Sequence, residues 1–169
     1  MKKLHAIFLA LIMTSTMSIS TAFAVSSPRI DHFGGTKWDA FYAVSQTADG
    51  GYVAVGHSSS KDLDMEGLSK GRDNAVIVKY SPHGVQEWVT TFGGSKTEAF
   101  YDVKQTSDGG YIAVGCSSSL DGDMAGSSKA LREEDTGYSN QDAVLVKFDS
   151  IGKMEWFRDF GGSGLDRYN

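Results

Sequence analysis

Two loops carry the residues best suited to coordination chemistry. Asp62-Leu63-Asp64-Met65-Glu66-Gly67 and Asp121-Gly122-Asp123-Met124-Ala125-Gly126 share a D-x-D-x-x-G pattern. Alternate carboxylates on a tightly turning backbone are what a hard cation such as calcium requires, so the pattern resembles the first half of a calcium loop. The match is partial. The fifth position is Glu66 in one copy and Ala125 in the other, and Asp73 and Arg132 stand where a bidentate glutamate would close the loop. Read without an ion, the same aspartates and glycines are turn formers. Calcium is therefore the one cofactor the sequence raises, through Asp62, Asp64, Asp121 and Asp123.

The other reactive side chains form no constellation. His57 and Cys116 occupy the same place in two related segments, and neither has a repeated His, Cys or carboxylate at ligand or nucleophile spacing. Ser58-Ser59-Ser60 and Ser117-Ser118-Ser119 lack a G-x-S-x-G elbow. Serines at that position bond the chain as it leaves a sheet. The paired glycines lack the strand-to-helix setting of a phosphate loop. Trp38 stands apart: its counterpart is Thr97, so it is not fixed by the repeat, and an unmatched tryptophan near a sheet edge is a candidate carbohydrate-stacking surface.

What must position these residues is an internal repeat. Phe33-Gly34-Gly35 recurs as Phe92-Gly93-Gly94 and as Phe160-Gly161-Gly162, at spacings of 59 and 68. Residues 33–60 and 92–119 agree at 20 of 28 positions without a gap, and 75–94 agrees with 143–162 at 10 of 20. All nine extra residues of the second unit fall in 120–142. A fixed period with its length change confined to one loop marks a repeat architecture.

Each unit reads as four strands. Ala40–Thr47 and Ala99–Thr106 alternate with period two, and Asp49-Gly50-Gly51 and Asp108-Gly109-Gly110 then turn the chain. Tyr111–Gly115, running into Ser117, is apolar on both faces, and the small residues Ala113 and Gly115 on the face shared with Tyr111 leave room for a neighbouring sheet. Valine-rich Ala75–Tyr80 and Ala143–Phe148 are third, and the segments carrying Trp88 and Trp156 are fourth. The expected class is all-β, with four-stranded antiparallel sheets built as blades of a β-propeller.

The chain resembles the bacterial exported β-propeller repeats, on the signatures Asp108-Gly109-Gly110-Tyr111-Ile112-Ala113-Val114-Gly115, the D-x-A-V-x-V-K strand and W-x-x-x-F-G-G, over essentially all of 33–162. Asp149-Ser150-Ile151-Gly152-Lys153-Met154-Glu155-Trp156 is similar to the D-x-x-G-x-x-x-W element of quinoprotein propellers. That resemblance implies that Trp88 and Trp156 dock between neighbouring blades. Blade 1 is expected at about 36–94, blade 2 at about 95–162 and the start of a third at 163–169. Propellers close with about four to eight blades, so the expectation is an incomplete propeller: a fragment of a longer one, or a protomer that self-associates through open blade faces.

Residues 1–24 read as a secretory signal. Lys2 and Lys3 precede an apolar run, Ala6 to Met13, and Ala22-Phe23-Ala24 has the small-x-small form of a cleavage site. The run is far shorter than the ~20 residues that span a bilayer. Without Lys2 and Lys3 the remaining 145 residues hold 14 basic and 21 acidic side chains, a net charge of −7. Such a balance disfavours nucleic acid and anionic membrane as partners. One cysteine allows no internal disulfide. The functional expectation is a secreted or cell-surface, non-catalytic repeat module that binds protein or glycan. Its rivals are a truncated piece of a quinoprotein-like or glycan-active enzyme, and a remnant of a longer gene with no function of its own.

Overall fold

Short β-branched runs set off by glycine turns fold here as antiparallel strands. The computed structural model describes residues 32–127 and 141–161. The expected signal (1–24), the start of a third unit (163–169) and part of the second long loop lie outside the described residues. The strands are β1 (Asp39–Gln46), β2 (Tyr52–Ser58), β3 (Asn74–Tyr80), β4 (Gln86–Phe92), β5 (Glu98–Gln105), β6 (Tyr111–Ser117), β7 (Asp142–Phe148) and β8 (Met154–Phe160). They form two four-stranded sheets, ordered β1-β2-β3-β4 and β5-β6-β7-β8, with every neighbouring pair antiparallel. No helix among the described residues is long and apolar enough to cross a membrane.

The sheets pack face to face, β5 lying against β1, β2 and β3. Val53, Val55, Ile77 and Phe92 of the first sheet meet Phe100, Tyr111, Ala113, Val144, Val146 and Phe148 of the second in one buried cluster. Phe92 stacks on Phe100 with ring centroids 5.7 Å apart. At the far end Trp88 packs edge-on to Tyr111, at 5.5 Å, and against Gly152. Its counterpart Trp156 is 39% exposed and lies under the Arg158 guanidinium, 5.7 Å from the ring centre.

The simple alternation expected of β1 and β5 is broken. Pairing skips one residue between Phe41 and Ala43, and again between Phe100 and Asp102. Each skip is a β-bulge that leaves a tyrosine, Tyr42 or Tyr101, outside the ladder and turns it to a new direction. Phe100 and Val103, three residues apart, thus both reach the core. The bulge also explains Gly56 and Gly115. A Cβ there would lie 1.8 Å from the Ala40 carbonyl oxygen or 2.0 Å from that of Ala99. Gly115 is required by its own sheet, and not, as expected from sequence, by the approach of a neighbour.

Candidate functional site: a cavity where the two sheets meet

The site is built on the serine triplets. As the chain leaves β2 and β6, the outer two serines turn inward onto the acid that begins the adjacent strand. Ser58 donates to Asp39 Oδ1, and Ser60 donates to Oδ2 at 2.7 Å. In the second sheet Ser117 donates to Glu98 Oε1 at 3.0 Å. Burial pushes the Asp39 carboxyl up, but bonds from Ser58, the Gly35 amide and Ser60 outweigh it and hold it below the ordinary aspartate value. Glu98 is fully buried, and there burial dominates and raises its pKa against the same kind of bonds.

The middle serine does something different. Ser59 donates to Asp73 Oδ1 at 2.6 Å, while Thr97 of the second sheet donates to Asp73 Oδ2 at 2.9 Å. The Asp73 carbonyl accepts from the Glu98 amide at 3.0 Å, and its own amide donates to Lys96. One aspartate therefore clasps the two sheets. The counterpart hydroxyl, Ser118 Oγ, is buried with no hydrogen-bond partner among the described residues.

Beside this clasp lies a cavity of about 400 Å³. The bulged tyrosines wall it. Tyr42 stacks on His57 at 5.3 Å and faces Tyr101 at 5.7 Å, while Trp38 stands edge-on to His57 at 4.9 Å. Tyr101 Oη is 3.1 Å from Cys116 Sγ. Arg72, Asp73, Glu98 and Gln141 supply the polar part of the lining. Trp38 is 70% exposed, whereas His57 is 6% exposed and its Nδ1 is buried with no hydrogen-bond partner among the described residues. Burial lowers the His57 pKa against the pull of Asp73 and Asp39. Burial also raises that of Tyr42, helped by Cys116 and Asp73.

No family model matches the chain, and no curated protein does.

The structure sorts the sequence candidates. Trp38 lines the cavity. Asp62, Asp64, Asp121 and Asp123 do not: their carboxylates hold the Phe-Gly-Gly turns. Thr36 N–H donates to Asp62 Oδ1 at 2.9 Å, and Gly34 N–H donates to Asp64 Oδ2 at 3.0 Å. In the second copy Ser95 N–H reaches Asp121 at 2.8 Å and Gly93 N–H reaches Asp123 at 3.0 Å, with Lys70 Nζ also on Asp123. Among the described residues no group of three or more His, Cys, Asp or Glu is arranged to hold a metal ion. Tyr42 and Tyr101 are cavity residues the sequence did not single out, while His57, set aside for want of partners, and Asp73, read only as the end of a calcium-like loop, line the cavity with them. The available signal was the replacement of His57 by Cys116 and of Asp73 by Gln141 between otherwise matching units.

Proposed function

We propose that this chain is an exported, non-catalytic β-propeller module that binds a partner outside the cell, and that the cavity takes a sugar unit of a glycan. One observation carries the reading: an open aromatic wall, Trp38 with Tyr42 and Tyr101, faces Asp73, Arg72 and Gln141 across a space of about 400 Å³. Aromatic faces cover the apolar side of a polar ring, and flanking carboxylate, guanidinium and amide groups bond its hydroxyls. The leader-like residues 1–24 support export, and the acidic balance argues against nucleic acid or an anionic membrane as the partner. Four antiparallel strands in sequential order, repeated in both sheets, support blades of a propeller.

Titration calorimetry against a panel of oligosaccharides tests it. A binder should appear, and Trp38→Ala should weaken it about tenfold, or about 1.4 kcal/mol, without altering the urea midpoint. Binding unaffected by Trp38→Ala and Tyr42→Ala would remove the cavity from the function. Release of reducing ends by the purified chain would replace a binding module with a glycan-active enzyme.

A further inference from the structure

In each sheet four successive backbone amides are received by four side chains. Gly34 N–H donates to Asp64 at 3.0 Å, Gly35 N–H to Asp39 at 2.8 Å, Thr36 N–H to Asp62 at 2.9 Å and Lys37 N–H to Ser60 at 2.9 Å. The second sheet repeats the set. Gly93, Gly94, Ser95 and Lys96 N–H groups donate to Asp123, Glu98, Asp121 and Ser119 at 3.0, 3.1, 2.8 and 2.9 Å. The two segments reach their sockets by different routes. Phe92 is the last residue of β4, so 93–96 arrives from a strand of the preceding sheet. Residues 32–38 lie in no strand. The same bonds form whether or not a strand leads into them, so the socket sets the shape of the segment.

Every position of the segment is read by something. Phe33 stacks on Phe41 at 5.0 Å, as Phe92 stacks on Phe100 at 5.7 Å. Gly34 has a φ of +123°, and a Cβ there would lie 2.4 Å from the Asp39 carboxylate. A Cβ on Gly35 would lie 2.2 Å from the Asp62 carboxylate, so neither glycine can be replaced without moving the socket. Thr36 Oγ1 donates to Asp62 Oδ2 at 2.8 Å. Bonds from the amide and hydroxyl of Thr36, and from those of Ser95, hold Asp62 and Asp121 below the ordinary aspartate value.

We propose that the socket of the first sheet, formed by Asp39, Phe41, Ser60, Asp62 and Asp64, is a sequence-reading peptide receptor. Its ligand is a Phe-Gly-Gly segment followed by threonine or serine. Residues 33–37 fill it within the chain, and the same sequence on another polypeptide fills it when they are withdrawn. None of the five socket residues lines the cavity, so the inference stands apart from the sugar site. A tethered segment acts at an effective concentration on the order of mM, so the wild type takes up free peptide poorly.

Fluorescence polarisation tests this on the full chain carrying Phe33→Ala with Gly34→Val, which loosens the resident segment. The probe is a labelled peptide of sequence His-Phe-Gly-Gly-Thr-Lys, that of residues 32–37. It should bind this variant saturably, and at least about tenfold more tightly than it binds the wild type. Adding Asp62→Asn and Asp64→Asn should weaken it about tenfold, as expected for bonds to charged acceptors. A peptide with alanine for its first glycine should not compete. Phe33→Ala alone serves as host should the double variant lose its β-sheet circular dichroism. Absence of binding to a folded host at millimolar peptide would overturn the proposal. So would equal competition by the alanine peptide, or binding that is indifferent to Asp62 and Asp64.

Discussion

The Trp88 indole of the first sheet rests on Gly152 of the second, where an added Cβ would meet ring carbons Cε3 and Cζ3 at 2.6 and 2.8 Å. A glycine in a turn between β7 and β8 is thus also the floor on which the neighbouring sheet stands. Its backbone φ of +81° belongs to the left-handed region, so two requirements coincide at one residue.

Gly152→Ala should therefore cost more than Gly84→Ala. The first incurs the left-handed penalty of about 1–2 kcal/mol and an overpacking cost of about 1–3 kcal/mol against Trp88. The second incurs only the backbone cost, since its Cβ enters open space. Urea midpoints of the two variants, measured where the chain is monomeric, give the difference directly. Equal losses would mean that the Trp88 contact contributes nothing to holding the sheets together.

Lys79 and Lys147 are buried lysines at matching positions, each held by two carboxylates. Lys79 Nζ lies 2.9 Å from Asp49 and 3.0 Å from Glu87; Lys147 lies 3.0 Å from Asp108 and 3.2 Å from Glu155. Burial pushes both ammonium groups down, but the paired carboxylates prevail and raise them above the ordinary lysine value. Their contribution is then complete below pH about 10.5 and is lost as pH rises through the higher folded value. Asp49 and Asp108 are lowered, the first chiefly by Lys79 and the second chiefly by Thr106, so their contribution is present above pH about 3.8 and lost as pH falls. Lys79→Ala should cost about 2–5 kcal/mol, because it empties the space of a buried side chain. Lys79→Met should cost less and should flatten the alkaline limb of a stability–pH curve.

Glu98 predicts the opposite slope. Its pKa is raised by burial, so the folded chain binds the proton more tightly than the unfolded chain. Stability from this group grows as pH falls through the folded value and is complete below about 4.5, the unfolded value. Glu98→Gln keeps an acceptor for the Gly94 amide at 3.1 Å, and its amide NH2 replaces the oxygen that accepts from Ser117 at 3.0 Å, so the Ser117 hydroxyl turns round to accept. Denaturation at several pH values should show the variant losing that acid-side gain while remaining folded. A variant with the wild-type slope would assign the proton elsewhere.

Asp123→Ala leaves the Gly93 amide and Lys70 without their shared acceptor. Losing bonds to a charged acceptor costs about 1.5–3 kcal/mol. If turn-holding is the whole role of these aspartates, millimolar calcium leaves the melting temperature of the wild type unchanged. A calcium-dependent rise that disappears in Asp121→Asn with Asp123→Asn would give the loop to the ion instead.

The two sheets were legible in the sequence because period-two runs and glycine turns are local signals, and because the second unit repeats the first. Strand ends fell within one residue of the observed ones at Ala40, Ala75 and Ala143. The bulges at Tyr42 and Tyr101 were not legible. An extra residue in one strand changes nothing about the strand's own composition, and only the partner's Gly56 and Gly115 betray it. Trp38 was singled out as unmatched, but the cavity it borders joins residues as distant as His57, Asp73, Tyr101 and Gln141 across two repeats. The aspartates of the long loops invited a cation because their spacing is common to both roles. Which groups they face, backbone amides of a turn, is decided only when the loop folds back on Phe-Gly-Gly.

The serine triplets separate two kinds of work. Ser58 and Ser60 secure a repeat to itself, while Ser59, through Asp73, secures it to whatever follows. A unit that carries both kinds of serine brings with it the bonds that hold it together and the bond that joins it to the next sheet.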